Sequence, residues 1–115
     1  MRILGFAEKW PKLCQDEFTT FHFSRKDKDW EVDEVVRIVY KPRSKEREVL
    51  GIAKIVAKEP RQFGSLMPDR VTKEEAQVDG FNGYSDMADW FYKQYGERIV
   101  NEPINRITLE WIDKK

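Results

Sequence analysis

The stretch Phe18-Thr19-Thr20-Phe21-His22-Phe23 decides the fold class. Every residue in it except His22 favours the extended conformation, because β-branched and aromatic side chains pack well on a pleated surface. Alternation sets Thr19, Phe21 and Phe23 on one face and Phe18, Thr20 and His22 on the other. In a barrel the face of Thr20 and His22 either lines a cleft or points to solvent. Working outward, residues 35–40 and 49–57 read as two further strands with apolar residues in neighbouring positions, the pattern of burial on both sides in a small barrel or under a helix. Between them, Lys41-Pro42-Arg43-Ser44-Lys45-Glu46-Arg47 is a turn with a proline inside it. Upstream, Ile3-Leu4-Gly5-Phe6 is a short first strand or arm that stops before Pro11. At the other end Ile107, Leu109 and Trp111 alternate with Arg106, Thr108 and Glu110, as in a half-buried strand.

The helical signals lie between these strands. Thr72-Lys73-Glu74-Glu75 fits a capping box, with Thr72 as N-cap and Glu75 reaching back, and Gly80 closes that helix. Ser85 reads as the N-cap of a second helix, with Asp86 and Asp89 in its first turn, Met87, Trp90 and Phe91 as its core stripe and Gly96 at its end. A terminal strand that returns after helices completes a sheet begun earlier. The expected fold is therefore α+β, a small curled sheet or β-barrel of mixed strands with two short helices packed beside it.

Totals narrow the function classes. The 115 residues make one domain, 1–115, with no linker or repeat. The charged fraction is 37%, but four Trp, four Tyr and seven Phe supply a core and argue against disorder. Net charge is zero, so any attraction to nucleic acid must come from a local patch. One Cys, Cys14, and one His, His22, supply neither a disulfide nor a structural zinc site, and no metal or cofactor is expected. No apolar run approaches the roughly 18 residues of a membrane span, and residues 1–12 lack a secretory signal, so a cytoplasmic protein without a membrane partner is expected.

Three stretches together resemble an ASCH domain of the PUA-like superfamily. Phe18-Thr19-Thr20-Phe21-His22-Phe23 stands in the place of a Thr-x-x-Arg-type strand. Trp30-Glu31-Val32-Asp33-Glu34-Val35-Val36-Arg37-Ile38 resembles a loop, a Gly-Asp step and a hydrophobic strand. Leu50-Gly51-Ile52-Ala53-Lys54-Ile55 is followed by Thr72-Lys73-Glu74-Glu75-Ala76, Asp79-Gly80-Phe81 and Tyr95-Gly96, similar to the family's helices and their acidic-Gly-aromatic turn. The resemblance covers about residues 17–112. It implies a PUA-like β-barrel and a cleft between barrel and helices that takes RNA or a nucleoside. Some bacterial members are amidohydrolases that deacylate N4-acetylcytidine with a lysine, a threonine and a glutamate. By that resemblance the threonine falls on Thr20 and the glutamate on Asp79, both catalytic if the chain is a hydrolase. The family arginine is replaced by His22 and the lysine position by Glu17, with Lys9, Lys12 or Lys54 left as substitutes from elsewhere.

The residues themselves suggest parallel roles. Thr20 and His22 share a strand face, where His22 is a candidate proton carrier near pH 7 and Thr20 a candidate nucleophile or ligand contact. Asp79 ends its helix against the dipole, which suits a carboxylate kept for a ligand amine. Arg37, Lys41, Arg43, Lys45 and Arg47, joined by Arg25, Lys26 and Lys28, are a candidate basic strip for phosphates. Tyr40 and Trp30 are candidates to stack on unpaired bases, and Trp10 and Trp30 to touch a protein partner. The expected ligand contacts are Thr20, His22, Arg25, Lys41, Arg43, Lys45 and Asp79, with an RNA- or nucleoside-binding module placed ahead of a hydrolase.

Overall fold

The computed structural model describes residues 1–63 and 69–115. Strands β1 (Ile3–Phe6), β2 (Glu17–His22), β3 (Val35–Tyr40), β4 (Glu48–Arg61) and β5 (Ile104–Lys114) form one sheet in the order β1-β3-β4-β5-β2. β1 runs parallel to β3 and the other neighbours are antiparallel, so the sheet is mixed. The returning strand β5 lies between β4 and β2, completing the sheet as its alternation implied.

The edge strands are β1 and β2, and the sheet curls until they approach each other. The Phe6 ring on β1 stands 6.2 Å from Phe18 and 5.9 Å from His22 on β2. This is a half-barrel with an open seam. The register of β4 against β5 shifts at Ile52/Ala53, where the extra residue is Ile112 of β5, and at Ile55/Ala57, where it is Val56 of β4. Each such bulge bends the strand and raises its twist. At Gly51 (φ 151°) a Cβ would meet the Asp113 carbonyl oxygen at 2.2 Å, so only glycine lets β4 and β5 come together there.

β2 feeds two cores, as its two apolar faces require. Phe18 packs inside the curl with Leu4, Phe6, Ile38, Ile55 and Leu109. Phe21 and Phe23 pack on the opposite face with Phe63, Met87, Phe91 and Ile104. The second core is roofed by α1 (Lys73–Asp79), α2 (Tyr84–Tyr95) and α3 (Arg98–Asn101). A 3-10 turn, Pro11–Cys14, lies before β2.

The capping box of α1 is present. The Glu75 N–H donates to Thr72 Oγ1 at 3.1 Å, and the Thr72 N–H donates to Glu75 Oε1 at 3.2 Å. Thr72→Ala is expected to cost about 1 kcal/mol, seen as a lower urea midpoint with an unchanged slope. Four expectations need correction. α2 is capped by Gly83 rather than Ser85, which falls within the helix. A third short helix, α3, follows Gly96. β4 runs on through Lys58-Glu59-Pro60-Arg61, because these charges find partners: Arg61 Nη2 lies 2.9 Å from Glu75 and 3.0 Å from Glu59, and Arg106 Nη1 lies 3.1 Å from Glu59. Trp30 belongs to the core rather than the surface, at 2% exposure. Its Nε1–H donates to the Phe23 carbonyl at 3.3 Å and the Arg2 guanidinium lies 4.6 Å from its ring centre.

Candidate functional site

The 3-10 turn that Pro11 starts sends the Lys12 side chain inward, and the last residue of α1 sends Asp79 to meet it. Lys12 Nζ lies 2.6 Å from Asp79 Oδ1, with the two residues 6% and 3% exposed. The ammonium also sits 5.5 Å from the Phe6 ring centre and 5.9 Å from that of Trp10. After Asp79 the chain turns at Gly80 (φ 115°), whose N–H donates back to α1, and the Phe81 N–H donates to the Ala76 carbonyl at 3.0 Å. That turn lays the Phe81 ring 5.3 Å from Trp10 and 6.0 Å from Trp90.

These residues line a pocket of about 70 Å³ at the seam of the half-barrel. Gly5, Phe6 and Ala7 come from the β1 side, Thr20, Phe21 and His22 from β2, Lys12 and Asp79 from the ion pair, and Trp10, Phe81, Trp90 and Tyr95 form an aromatic rim. Thr20, His22 and Asp79 are thus brought together, and Lys12 joins them. A cavity of about 150 Å³ holds benzene. At half that volume, the pocket admits a group of roughly three or four heavy atoms rather than a whole heterocycle.

The electrostatics follow from burial. Desolvation raises the Asp79 carboxyl to about 6, with Lys12 pulling the other way. Desolvation likewise lowers the Lys12 ammonium below its ordinary range, against the attraction of Asp79. His22 is lowered to about 4, first by burial and then by the Lys12 charge. It packs against Phe6 and Trp30, with its ring centre 6.2 Å from that of Trp30. His22 is therefore neutral at pH 7, which corrects its expected role as a proton carrier near that pH. It lies on the pocket wall, where a neutral imidazole carries one donor and one acceptor nitrogen. Asp79 is likewise no exposed end of a helix but half of a buried pair.

Beside the pocket lies a groove of about 1140 Å³, and the two share Gly5, Phe6, Ala7, His22 and Tyr95 in their linings. Arg25, Lys26, Lys41, Arg43, Arg47 and Arg98 line the groove, with Asp27 as its acid. Three of the cations are paired: Lys41 with Glu46 at 2.8 Å, Arg25 with Asp27 at 3.2 Å and Arg98 with Glu102 at 2.5 Å. Lys26, Arg43 and Arg47 are exposed and have no ion pair among the described residues. Lys45 is exposed and lies outside the groove lining. Tyr40 is half-buried, with Lys9 and Lys41 ammonium groups 5.0 and 5.4 Å from its ring centre, and Trp30 is covered, so neither offers a free face for a base. Trp10, Phe81 and Trp90 are part-buried and pack on one another, with ring centres 5.3–6.0 Å apart.

Sequence reasoning named Lys12 as one of three substitutes and could not choose among them. Lys9 pairs with Glu48 at 2.6 Å and Lys54 with Asp33 at 3.6 Å, both at exposed positions. Among the described residues no group of three or more His, Cys, Asp or Glu side chains is placed to hold a metal ion. No described helix is long and apolar enough to cross a membrane. No family model, curated protein or solved structure matches the chain.

Proposed function

We propose that the chain is a PUA-like domain of the ASCH kind whose cleft holds RNA or a modified nucleoside. The sugar and phosphates lie along the groove, and a small substituent of the base enters the pocket. The observation that carries this reading is the common wall of the two spaces. A pocket sized for a few heavy atoms, with a donor and an acceptor at Lys12 and Asp79, adjoins a groove whose Lys26, Arg43 and Arg47 have no ion pair among the described residues. Phosphate contacts supply affinity and position, while the polar pocket supplies discrimination.

The test is a titration with short single-stranded RNA, followed by Trp fluorescence at several salt concentrations. Trp10 and Trp90 sit on the rim and report occupancy. Replacing Arg43 and Arg47 together by Ala is expected to weaken binding and to reduce the slope of log affinity against log salt by about one to two units. Binding that is absent, or indifferent to salt, sinks the reading.

A second reading is favoured by one observation. The lysine that the resemblance leaves missing at Glu17 is met from another element by Lys12, beside Asp79 and in one pocket with Thr20. A lysine lowered by burial carries more free amine and suits the work of a base toward the Thr20 hydroxyl. The substrate would then be an acylated pyrimidine nucleoside such as N4-acetylcytidine, with its acyl group in the pocket. Acetate release that disappears in Thr20→Ala supports this reading. Tight binding of N4-acetylcytidine with no acetate released leaves the binding module alone.

A further inference from the structure

The geometry points to Lys12 as a covalent site, where a small aldehyde condenses with Nζ to form an imine. The inference rests on the pocket alone and is independent of what the groove holds. A lysine that forms imines needs an amine that gives up its proton readily, a neighbour that moves protons, and walls that exclude water. Lys12 has each of these. It is almost fully buried, with the Phe6 and Trp10 ring centres 5.5 and 5.9 Å from Nζ. Asp79 Oδ1 lies 2.6 Å from the same nitrogen and is buried with it. Both residues line the pocket of about 70 Å³, so a carbonyl group held there lies beside both. Burial penalises the charged form of each partner, lowering the amine and raising the carboxyl, so both shifts run toward the neutral pair. That neutral pair is a nucleophile next to an acid.

The step conserves charge at the pocket floor. The ammonium passes a proton to Asp79, and the freed nitrogen lone pair attacks the carbonyl carbon. A C–N bond forms, and the carbonyl oxygen gains a proton, through Asp79, that the nitrogen gives up. The Asp79 carboxyl then protonates the new hydroxyl. The C–O bond breaks, water leaves and the nitrogen lone pair closes the C=N bond. The ammonium has become a protonated imine, and the Asp79 carboxylate is restored as its partner. Acylation of Lys12 would instead remove the positive charge and strand a buried carboxylate, which burial opposes. The carbonyl class therefore suits this pair better than an acyl donor. Volume sets the size of the aldehyde. A cavity of about 150 Å³ holds benzene, so a space of about 70 Å³ takes acetaldehyde and refuses an aromatic aldehyde.

The experiment treats the full chain with acetaldehyde and cyanoborohydride, which reduces an imine to a stable secondary amine. Peptide mass spectrometry then locates the N-ethyl groups. Lys73 and Lys93, both exposed, are the internal references. At pH 7 Lys12 should be marked about tenfold faster than either, since each unit by which a pKa falls supplies roughly tenfold more free amine. Between pH 7 and 9 the references should gain about tenfold per unit, and Lys12 should rise less steeply. Benzaldehyde should mark the references and spare Lys12. A Lys12 rate no greater than theirs, a parallel pH profile, or equal marking by benzaldehyde overturns the inference. A short RNA strand carrying one 5-formyluridine distinguishes the two sources of an aldehyde. Marking of Lys12 by the strand where free acetaldehyde gives none assigns the aldehyde to a base, and marking by acetaldehyde alone assigns it to a free small molecule. If Lys12 is marked by acetaldehyde and RNA does not bind, the groove reading fails alone. If RNA binds and neither aldehyde marks Lys12, the imine fails and the groove stands.

Discussion

Asp79→Ala is expected to lower the free energy of unfolding by about 3–5 kcal/mol, the usual result of breaking a buried ion pair from one side. The substitution leaves an ammonium enclosed by Phe6 and Trp10 with no counter-charge. A domain of this size has about 5–15 kcal/mol in all, so the loss is a large share of it. Lys12→Met is expected to cost less. The carboxyl it strands, already raised to about 6, escapes its charge by taking a proton. The double variant Lys12→Met/Asp79→Leu should recover to within about 1 kcal/mol of the parent or exceed it, since well-packed apolar groups often replace a buried pair without loss. Urea unfolding of the three variants checks this order. A single-variant cost below about 1 kcal/mol would show that the pair is not desolvated. Full recovery by the double variant would mean that stability does not account for the pair, and would point to the ligand as its reason.

What could be read from the chain, and what could not, follows the range of the interactions. The two faces of β2 were legible because period-two alternation is local, and Phe18, Phe21 and Phe23 fall where that alternation puts them. The capping box at Thr72 and the closing glycine at Gly80 were legible for the same reason, since their partners lie within a few residues. The Lys12–Asp79 pair was not. It joins residues 67 apart, and nothing in Lys12-Leu13-Cys14-Gln15-Asp16 marks one lysine for burial. The signal available was Pro11, which starts a tight turn just before a strand. The charged end of β4 was hidden because Glu59 and Arg61 look like a loop until Glu75 and Arg106 arrive to neutralise them. Trp30 misled for the opposite reason. The loop around it is charged, yet Arg2 joins the two, binding Glu34 at 2.5 Å and lying over the indole, and so anchors the loop on the barrel core.

The pH dependence of stability sets two pocket residues against each other. His22 falls from an ordinary 6.5 to about 4 in the fold, so its contribution is complete above pH 6.5 and is lost as pH falls toward and through 4. Asp79 rises from 3.8 to about 6, so its contribution is complete below 3.8 and is lost as pH rises through 6. Between pH 6.5 and 4.5 each is worth about 2 kcal/mol by linkage, with opposite sign. In the parent protein these two contributions should cancel to within about 1 kcal/mol across this window. His22→Gln should gain about 2 kcal/mol on acidification, because Asp79 then acts alone, and Asp79→Asn should lose about as much. Urea unfolding of the three proteins at pH 6.5 and 4.5 provides the check, and parallel behaviour of the two variants would overturn the assignment. The cancellation has a chemical consequence at the pocket floor. As Asp79 takes up its proton near pH 6, the Lys12 charge loses its partner and further disfavours a proton on His22. Acidification then leaves one positive charge and a new hydroxyl donor there, so a ligand group that donates a hydrogen bond to Asp79 should weaken over the same range in which the His22 and Asp79 contributions to stability offset each other.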